Sequence, residues 1–139
     1  MSRIGRRLAF DYGEVRIGVA VCDQDGILAS PVLTLLTRDP QLMRAIAELI
    51  NEYEPVKIYI GLPLNLSGAA GVAVEKARKF GSRIESNYII PVVYIDERLS
   101  TVSATKAQQS AGIPAKAGRK TIDQMAAVAI LEQGLANER

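Results

Sequence analysis

Residues 7–21 read Arg7-Leu8-Ala9-Phe10-Asp11-Tyr12-Gly13-Glu14-Val15-Arg16-Ile17-Gly18-Val19-Ala20-Val21, and the fold turns on this stretch. Two short apolar runs flank Asp11-Tyr12-Gly13-Glu14, a polar turn of the kind at which strands reverse. Read as a hairpin, it puts Asp11 at the carboxyl end of the first strand. Gly13 stands two residues on, where a residue without a Cβ lets another backbone or a ligand come close. An acid at the end of a buried strand beside a glycine is a seat for a metal ion or a phosphate. An ordinary Asp-x-Gly hairpin turn has the same local pattern, so the remainder of the chain has to separate the two.

The chain has 139 residues, the size of one domain, and a chain of that length hides roughly 68% of its unfolded surface. Hydrophobic residues make up 48% and charged residues 23%, ordinary for a globular protein. No apolar run approaches the ~18 residues of a membrane span. The N-terminal residues lead into a strand without the apolar core of a signal peptide. The lone Cys22 has no partner for an internal disulfide, which suits a reducing cytoplasm.

Histidine is absent, and this excludes the most. Ser-His-Asp and Cys-His nucleophile systems, H-E-x-x-H zinc sites and histidine general bases all go at once. One cysteine is too few for a structural zinc site. Catalysis is left to carboxylates, Lys or Tyr, and any metal to oxygen ligands, which points to magnesium or manganese. The net charge of +2 does not by itself announce a nucleic-acid binder. Lys76, Lys79 and Arg83 recur at helical spacing, and Lys116, Arg119 and Lys120 crowd a second stretch. Solvated faces are the default for such clusters.

From Arg16 to Cys22 both alternating sets of residues are apolar, so this second strand is expected to be covered on both sides. Asp23-Gln24-Asp25-Gly26 signals a turn into a third strand, Ile27 to Leu36, interrupted by Pro31 as an edge strand tolerates. Asp39 and Pro40 give a helix start, with Leu42, Ile46, Leu49, Ile50 and Tyr53 as its buried stripe. A fourth strand follows over residues 56–60, ending at Gly61-Leu62-Pro63, then a polar loop. The next helix carries Ala73, Ala77, Phe80 and Ile84 on one side and the basic stripe on the other. Residues 91–97 form a fifth strand and residues 100–110 a weaker helix. Residues 111–120 lack periodicity and read as a mobile loop. Thr121-Ile-Asp-Gln124 fits a capping box, so a last helix is expected to begin there.

Short connections then favour a sheet of order 3-2-1-4-5, with strands 1, 4 and 5 parallel and helices on both faces. Open α/β sheets bind ligands outside the carboxyl strand ends where the strand order reverses, here between strands 1 and 4. Asp11 and Glu97 both fall at carboxyl ends, with Gly61 on the strand between them. Asp123 is a third candidate, although an acid in the first turn of a helix is also favoured by the helix dipole. Alternation puts Glu97 on the face of Val93 and Ile95 and Asp96 on the other, and pattern alone does not choose between the two acids.

Phe10-Asp11-Tyr12-Gly13 with Arg16-Ile17-Gly18-Val19-Ala20, then Gly61-Leu62-Pro63-Leu64-Asn65, then Asp96-Glu97-Arg98-Leu99-Ser100-Thr101, then Ile122-Asp123-Gln124-Met125-Ala126-Ala127 together resemble the YqgF (RuvX) family. The blocks fall in the family's order and cover nearly the whole chain. The resemblance implies one RNase H-like α/β domain over residues 1–139, similar to the RuvC junction resolvases. It matches Asp11, Glu97 and Asp123 to the family's acidic triad, and so prefers Glu97 over Asp96. Arg16, Asn65, Arg98, Ser100 and Thr101 fall in the same motifs and are candidate substrate contacts. Lys116, Arg119 and Lys120 join them as candidate phosphate contacts.

The function implied is a magnesium- or manganese-dependent nuclease on structured nucleic acid, by 5′-end maturation of pre-16S rRNA, Holliday junction resolution or both. Partners are then an rRNA precursor or branched DNA, with no membrane, for a cytoplasmic monomer or weak homodimer. RuvC-type enzymes carry an acid on the fourth strand and two in the last helix. This chain has Gly61 and the single Asp123, so the number of metals does not carry across. A non-catalytic nucleic-acid-binding module on the same fold is the main alternative. Asp11-x-Gly13 also resembles the phosphate hairpin of actin- or hexokinase-like ATPases, which enclose a nucleotide between two such domains.

Overall fold

The computed structural model describes residues 4–63, 71–99 and 117–139. Five strands, β1 (Arg7–Tyr12), β2 (Arg16–Cys22), β3 (Ala29–Leu36), β4 (Lys57–Leu62) and β5 (Val92–Asp96), form one sheet of order β3-β2-β1-β4-β5. The pairs β1–β2 and β2–β3 are antiparallel, whereas β1–β4 and β4–β5 are parallel. This is the expected topology. The polar loop holding Asn65, the helix over 100–110, the loop through Lys116, and Ser100 and Thr101 lie outside the described residues, as do the side chains of Arg119 and Lys120.

Alternation along the strands builds two cores. Leu8, Phe10, Ile17, Val19, Ile58 and Ile60 face helices α1 (Leu42–Tyr53) and α2 (Val72–Asn87), which contribute Ile46, Leu49, Ala77, Phe80 and Ile84. On the opposite face Ala9, Ala20, Cys22, Tyr59 and Ile95 meet helix α3 (Ala117–Glu138) through Ala126, Ala127, Ile130 and Leu131. The second strand is therefore covered on both sides, as its composition requires. Cys22 is a buried thiol pushed above its ordinary pKa by desolvation.

Several boundaries differ from the sequence pattern. β3 starts at Ala29, leaving Ile27 and Leu28 exposed, and its register with β2 shifts between Val19 and Ala20, opposite Pro31. α1 starts at Leu42 with Gln41 in the N-cap position and no side-chain cap, so Asp39 and Pro40 belong to the preceding turn, where the Asp39 carboxylate accepts the Gln41 N–H at 2.9 Å. β4 runs on through Gly61 to Leu62, and β5 stops at Asp96, so Glu97 opens a short 3-10 turn. In α2 the exposed Ala73 is not a core residue, because Val74 takes the inward position.

The largest correction concerns the last helix, which begins at Ala117 and not at Thr121. Residues 117–120 are thus helical rather than loop. Ala117, Arg119 and Lys120 are good helix formers and Gly118 a poor one, so the extension past the local capping pattern follows from the well-packed turns after it rather than from propensity alone. Asp123 consequently lies in the second turn. The helix dipole acts within the first turn, so it does not account for an acid at this position.

α3 lies unusually close to the sheet. A Cβ on Gly18 would sit 1.9 Å from the Asp123 carbonyl oxygen, and one on Gly134 would sit 2.7 Å from the Tyr59 ring. Gly18→Ala therefore forces the helix backbone away from β2, and is expected to cost about 1–3 kcal/mol of stability, read from the urea midpoint at unchanged m-value.

Candidate active site

Asp11 is the penultimate residue of β1 and shares the α3 face with Ala9, because Leu8 and Phe10 take the other. Its partner across the β1–β2 ladder is Gly18. On the other side, Gly61 follows the Phe10–Ile60 pair by one residue and is itself paired with Ile95. Asp11 thus stands in a transverse row between two glycines. The α3 backbone at Asp123 passes over the first. Over the second lies the Glu97 carboxylate, with Oε2 3.1 Å from where a Gly61 Cβ would be. Sequence separations of 86 and 26 residues between the acids are closed by the sheet order and by the pass of α3 across it.

Asp11 and Glu97 are only 3% and 6% exposed, and carboxylates are buried at such levels only with compensation. Asp123 is half-buried, and its Oδ2 accepts the Arg16 Nε–H at 3.1 Å. Gly13, Glu14, Val15, Arg16 and Asp123 line a pocket of about 220 Å³ at this edge. Among the described residues no three His, Cys, Asp or Glu side chains are grouped closely enough to hold a metal ion. Asp123 shares the face of the other two acids, but its carboxylate is turned to Arg16.

Alternation separates Asp96 from this group. β5 sends Ile95 and Glu97 toward α3, whereas Val92 and Tyr94 pack with the core on the α2 side. The Asp96 carboxylate accepts hydrogen bonds from the Arg98 guanidinium at 2.6 and 3.1 Å. This pair holds the Asp96 carboxyl below the usual carboxylate range and raises Arg98. Arg98 is therefore engaged by its neighbour rather than aimed at the acids. Gly13 behaves as its position suggested, since a Cβ there would lie 2.6 Å from the Arg16 carbonyl oxygen. Two further side chains at this end of the sheet make contacts that the sequence pattern did not point to. Thr37 Oγ1 donates to the Gly13 carbonyl at 2.7 Å, and Gln124 Nε2 donates to Thr34 Oγ1 at 3.0 Å. Both tie β3 and the turn that follows it to elements distant in sequence.

A family model described as RuvX, Holliday junction resolvase, matches residues 5–137. A proposed pre-16S rRNA nuclease of Streptomyces coelicolor is 48% identical over 99% of this chain and 83% of its own length. The counterpart in Cutibacterium acnes is 46% identical over 99% of this chain and 86% of its own. Among solved structures, Thermus thermophilus RuvC in complex with a Holliday junction substrate superposes with a TM-score of 0.57 at 15% identity, covering 96% of this chain and 95% of that one. That likeness concerns the fold.

The Asp96–Arg98 pair has a defined pH dependence. A depressed carboxyl pKa means that the pair is intact above the usual aspartate range and dissolves as pH falls through the depressed value. Arg98→Gln is expected to return the Asp96 titration, followed by carboxyl NMR, toward the ordinary range.

Proposed function

The chain belongs to the RuvX family, and from that premise we propose that it is a divalent-metal-dependent nuclease cleaving phosphodiester bonds in structured nucleic acid. Maturation of the 5′ end of pre-16S rRNA is the leading activity, with Holliday junction cleavage on the same centre. The observation that carries the reading is the burial of two carboxylates, Asp11 and Glu97, on the α3 face at the carboxyl end of the sheet, with Glu97 lying over Gly61 of the neighbouring strand. The strand order reverses here, between β1 and β4, where open α/β sheets receive their ligands.

The donor set fits a hard cation. The chain has no histidine, and its one cysteine is buried in the core, so oxygen ligands remain. Asp11 and Glu97 would hold magnesium or manganese, with Asp123 completing the set once its carboxylate turns from Arg16, since the three are not grouped as they stand. The ion would lower the pKa of a bound water and stabilise the departing oxygen. The protein's own groups do the rest. Gly18 and Gly61 let the Asp123 main chain and the Glu97 carboxylate come down close on either side of Asp11, and Ile130 packs over Gly61 beside Glu97. Arg16 holds Asp123 in place from β2, at the edge of the small pocket. Its guanidinium is positioned to meet a phosphate entering there. Asn65, Ser100, Thr101, Lys116, Arg119 and Lys120 belong to the same proposal as substrate contacts, with Arg98 in a lesser role.

No helix among the described residues is long and apolar enough to cross a membrane, and the free Cys22 agrees with a reducing, cytoplasmic setting. Trimming an RNA end needs one such site, so a monomer suffices. Symmetric junction cleavage needs two, hence a dimer.

The test is cleavage of a precursor-rRNA fragment and of a four-way junction with magnesium, beside a chelator control. Asp11→Asn and Glu97→Gln are each expected to lower the rate by at least about 100-fold, and Asp11→Asn to weaken manganese binding measured by calorimetry. Asp96→Asn should cleave within a few-fold of wild type. Nucleic-acid binding without cleavage, indifferent to chelator and to Asp11→Asn, would establish the non-catalytic module instead. The Asp123–Arg16 contact is the feature that favours that reading.

A further inference from the structure

The sheet face away from the carboxylates carries a second polar pocket that the acid site does not use. Side chains alternate at the end of β1, so Asp11 turns to α3 while Tyr12 turns to α2. There a pocket of about 260 Å³ opens between the tip of the sheet and α2. Its floor is apolar and aromatic. Tyr12, Leu42 and Phe80 line it, and the Tyr12 and Phe80 rings lie 5.0 Å apart, tilted by 34°. Its walls are Thr37 and three cations, Lys76, Lys79 and Arg83.

These cations are not simply a solvated helix face. They lie beside the buried Phe80 rather than opposite it, and they converge on one concavity. Lys76 bonds the Glu14 carboxylate of the β1–β2 turn and holds that carboxyl below its usual range. Among the described residues no ion pair engages Lys79 or Arg83. Like charges at this helical spacing oppose helix formation, and an anion seated among them relieves that repulsion. The Tyr12 hydroxyl adds a neutral donor that phosphate oxygens accept, whereas the Thr37 proton is already given to the Gly13 carbonyl. The aromatic floor suits a sugar or base edge beside the phosphate.

We infer that this pocket seats a backbone phosphate of the nucleic-acid substrate, away from the bond that is cut. The inference rests on the nuclease reading above and adds a second anchoring point to it. The two sites lie on opposite faces of the same strand end, separated by the β1–β2 hairpin. A strand held at both crosses the end of the sheet at residues 13–15. The pocket contributes affinity and path, not base identity, because it meets only phosphate and a sequence-tolerant aromatic surface.

Binding is measured by fluorescence anisotropy with a fluorescein-labelled single-stranded RNA, in chelator and on the Asp11→Asn background, so that no cleavage is needed. Lys79→Gln with Arg83→Gln is expected to weaken binding several-fold. It should also lower the slope of log affinity against log salt by about 0.7 for each phosphate that is no longer neutralised. Arg139→Gln removes one cation at the opposite end of the sheet, beside Gly26, and should leave both quantities unchanged. Lys79→Glu with Arg83→Glu should weaken binding further. Unchanged affinity and slope in the Gln pair would overturn the inference, and so would an equal loss in Arg139→Gln, which would mean only diffuse charge attraction. A wild-type protein that binds RNA through this pocket yet fails to cleave with magnesium would overturn the nuclease reading and leave the pocket assigned.

Discussion

The close seating of α3 on the sheet is the constraint on which the site depends. A helix normally stands off a sheet by the height of the side chains between them. Here Gly18 and Gly61 on the strands and Gly134 on the helix remove that height at three places, and Ala9, Ala20, Ala126 and Ala127 keep it low elsewhere. The Asp123 main chain can then lie directly over β2, level with Asp11. Larger residues in the glycine row would lift the helix and separate the acids, even with every catalytic candidate still present.

The same helix is held in register at its far end. Arg7, 2% exposed at the start of β1, donates to Glu138 at 2.8 Å, and Lys57 approaches the same carboxylate at 3.7 Å. Asp123 and Glu138 are 15 residues apart, about 22 Å along a helix, and both face the sheet. Two ion pairs at the two ends, Arg16–Asp123 and Arg7–Glu138, therefore fix both the rotation and the axial position of α3. A buried pair of the Arg7 kind adds little net stability over apolar packing, but losing one partner is costly. Its effect is to select one seating among the several that a small-residue interface would allow.

Alternation at the tip of β1 divides the polar chemistry between the two faces. Asp11 and Glu97 lie on the α3 side, and Tyr12 with the cations of α2 on the other. Neighbouring residues of a single strand thus belong to different sites, with the hairpin at Gly13 between them. Opposite charges meet at this end of the sheet in the Arg16–Asp123 and Asp96–Arg98 pairs and where Glu14 meets Lys76 at the turn.

The sequence by itself determined the sheet order, the place of Asp11 at a strand end, and the two-sided burial of β2. The strand end and the two-sided burial follow from periodicity and turn chemistry within a few residues, and the sheet order from the rule that connections are short. Parity along β5 also placed Glu97 apart from Asp96, although choosing the acid needed the family motif, and the shared face with α3 appeared only in three dimensions. The start of α3 is not legible in the sequence, because a capping box at Thr121 is a local signal and packing against the sheet outweighs it. Only the tertiary structure decided that Asp123 rests on Arg16, 107 residues away, that Gly18 and Gly61 serve as contact points for a helix and a carboxylate, and that Tyr12 and Thr37 join Lys76, Lys79 and Arg83 around one pocket. The physical reason is distance along the chain. A backbone hydrogen-bond pattern or a burial stripe is written in neighbouring residues, whereas the approach of two side chains on separate elements depends on how those elements are seated.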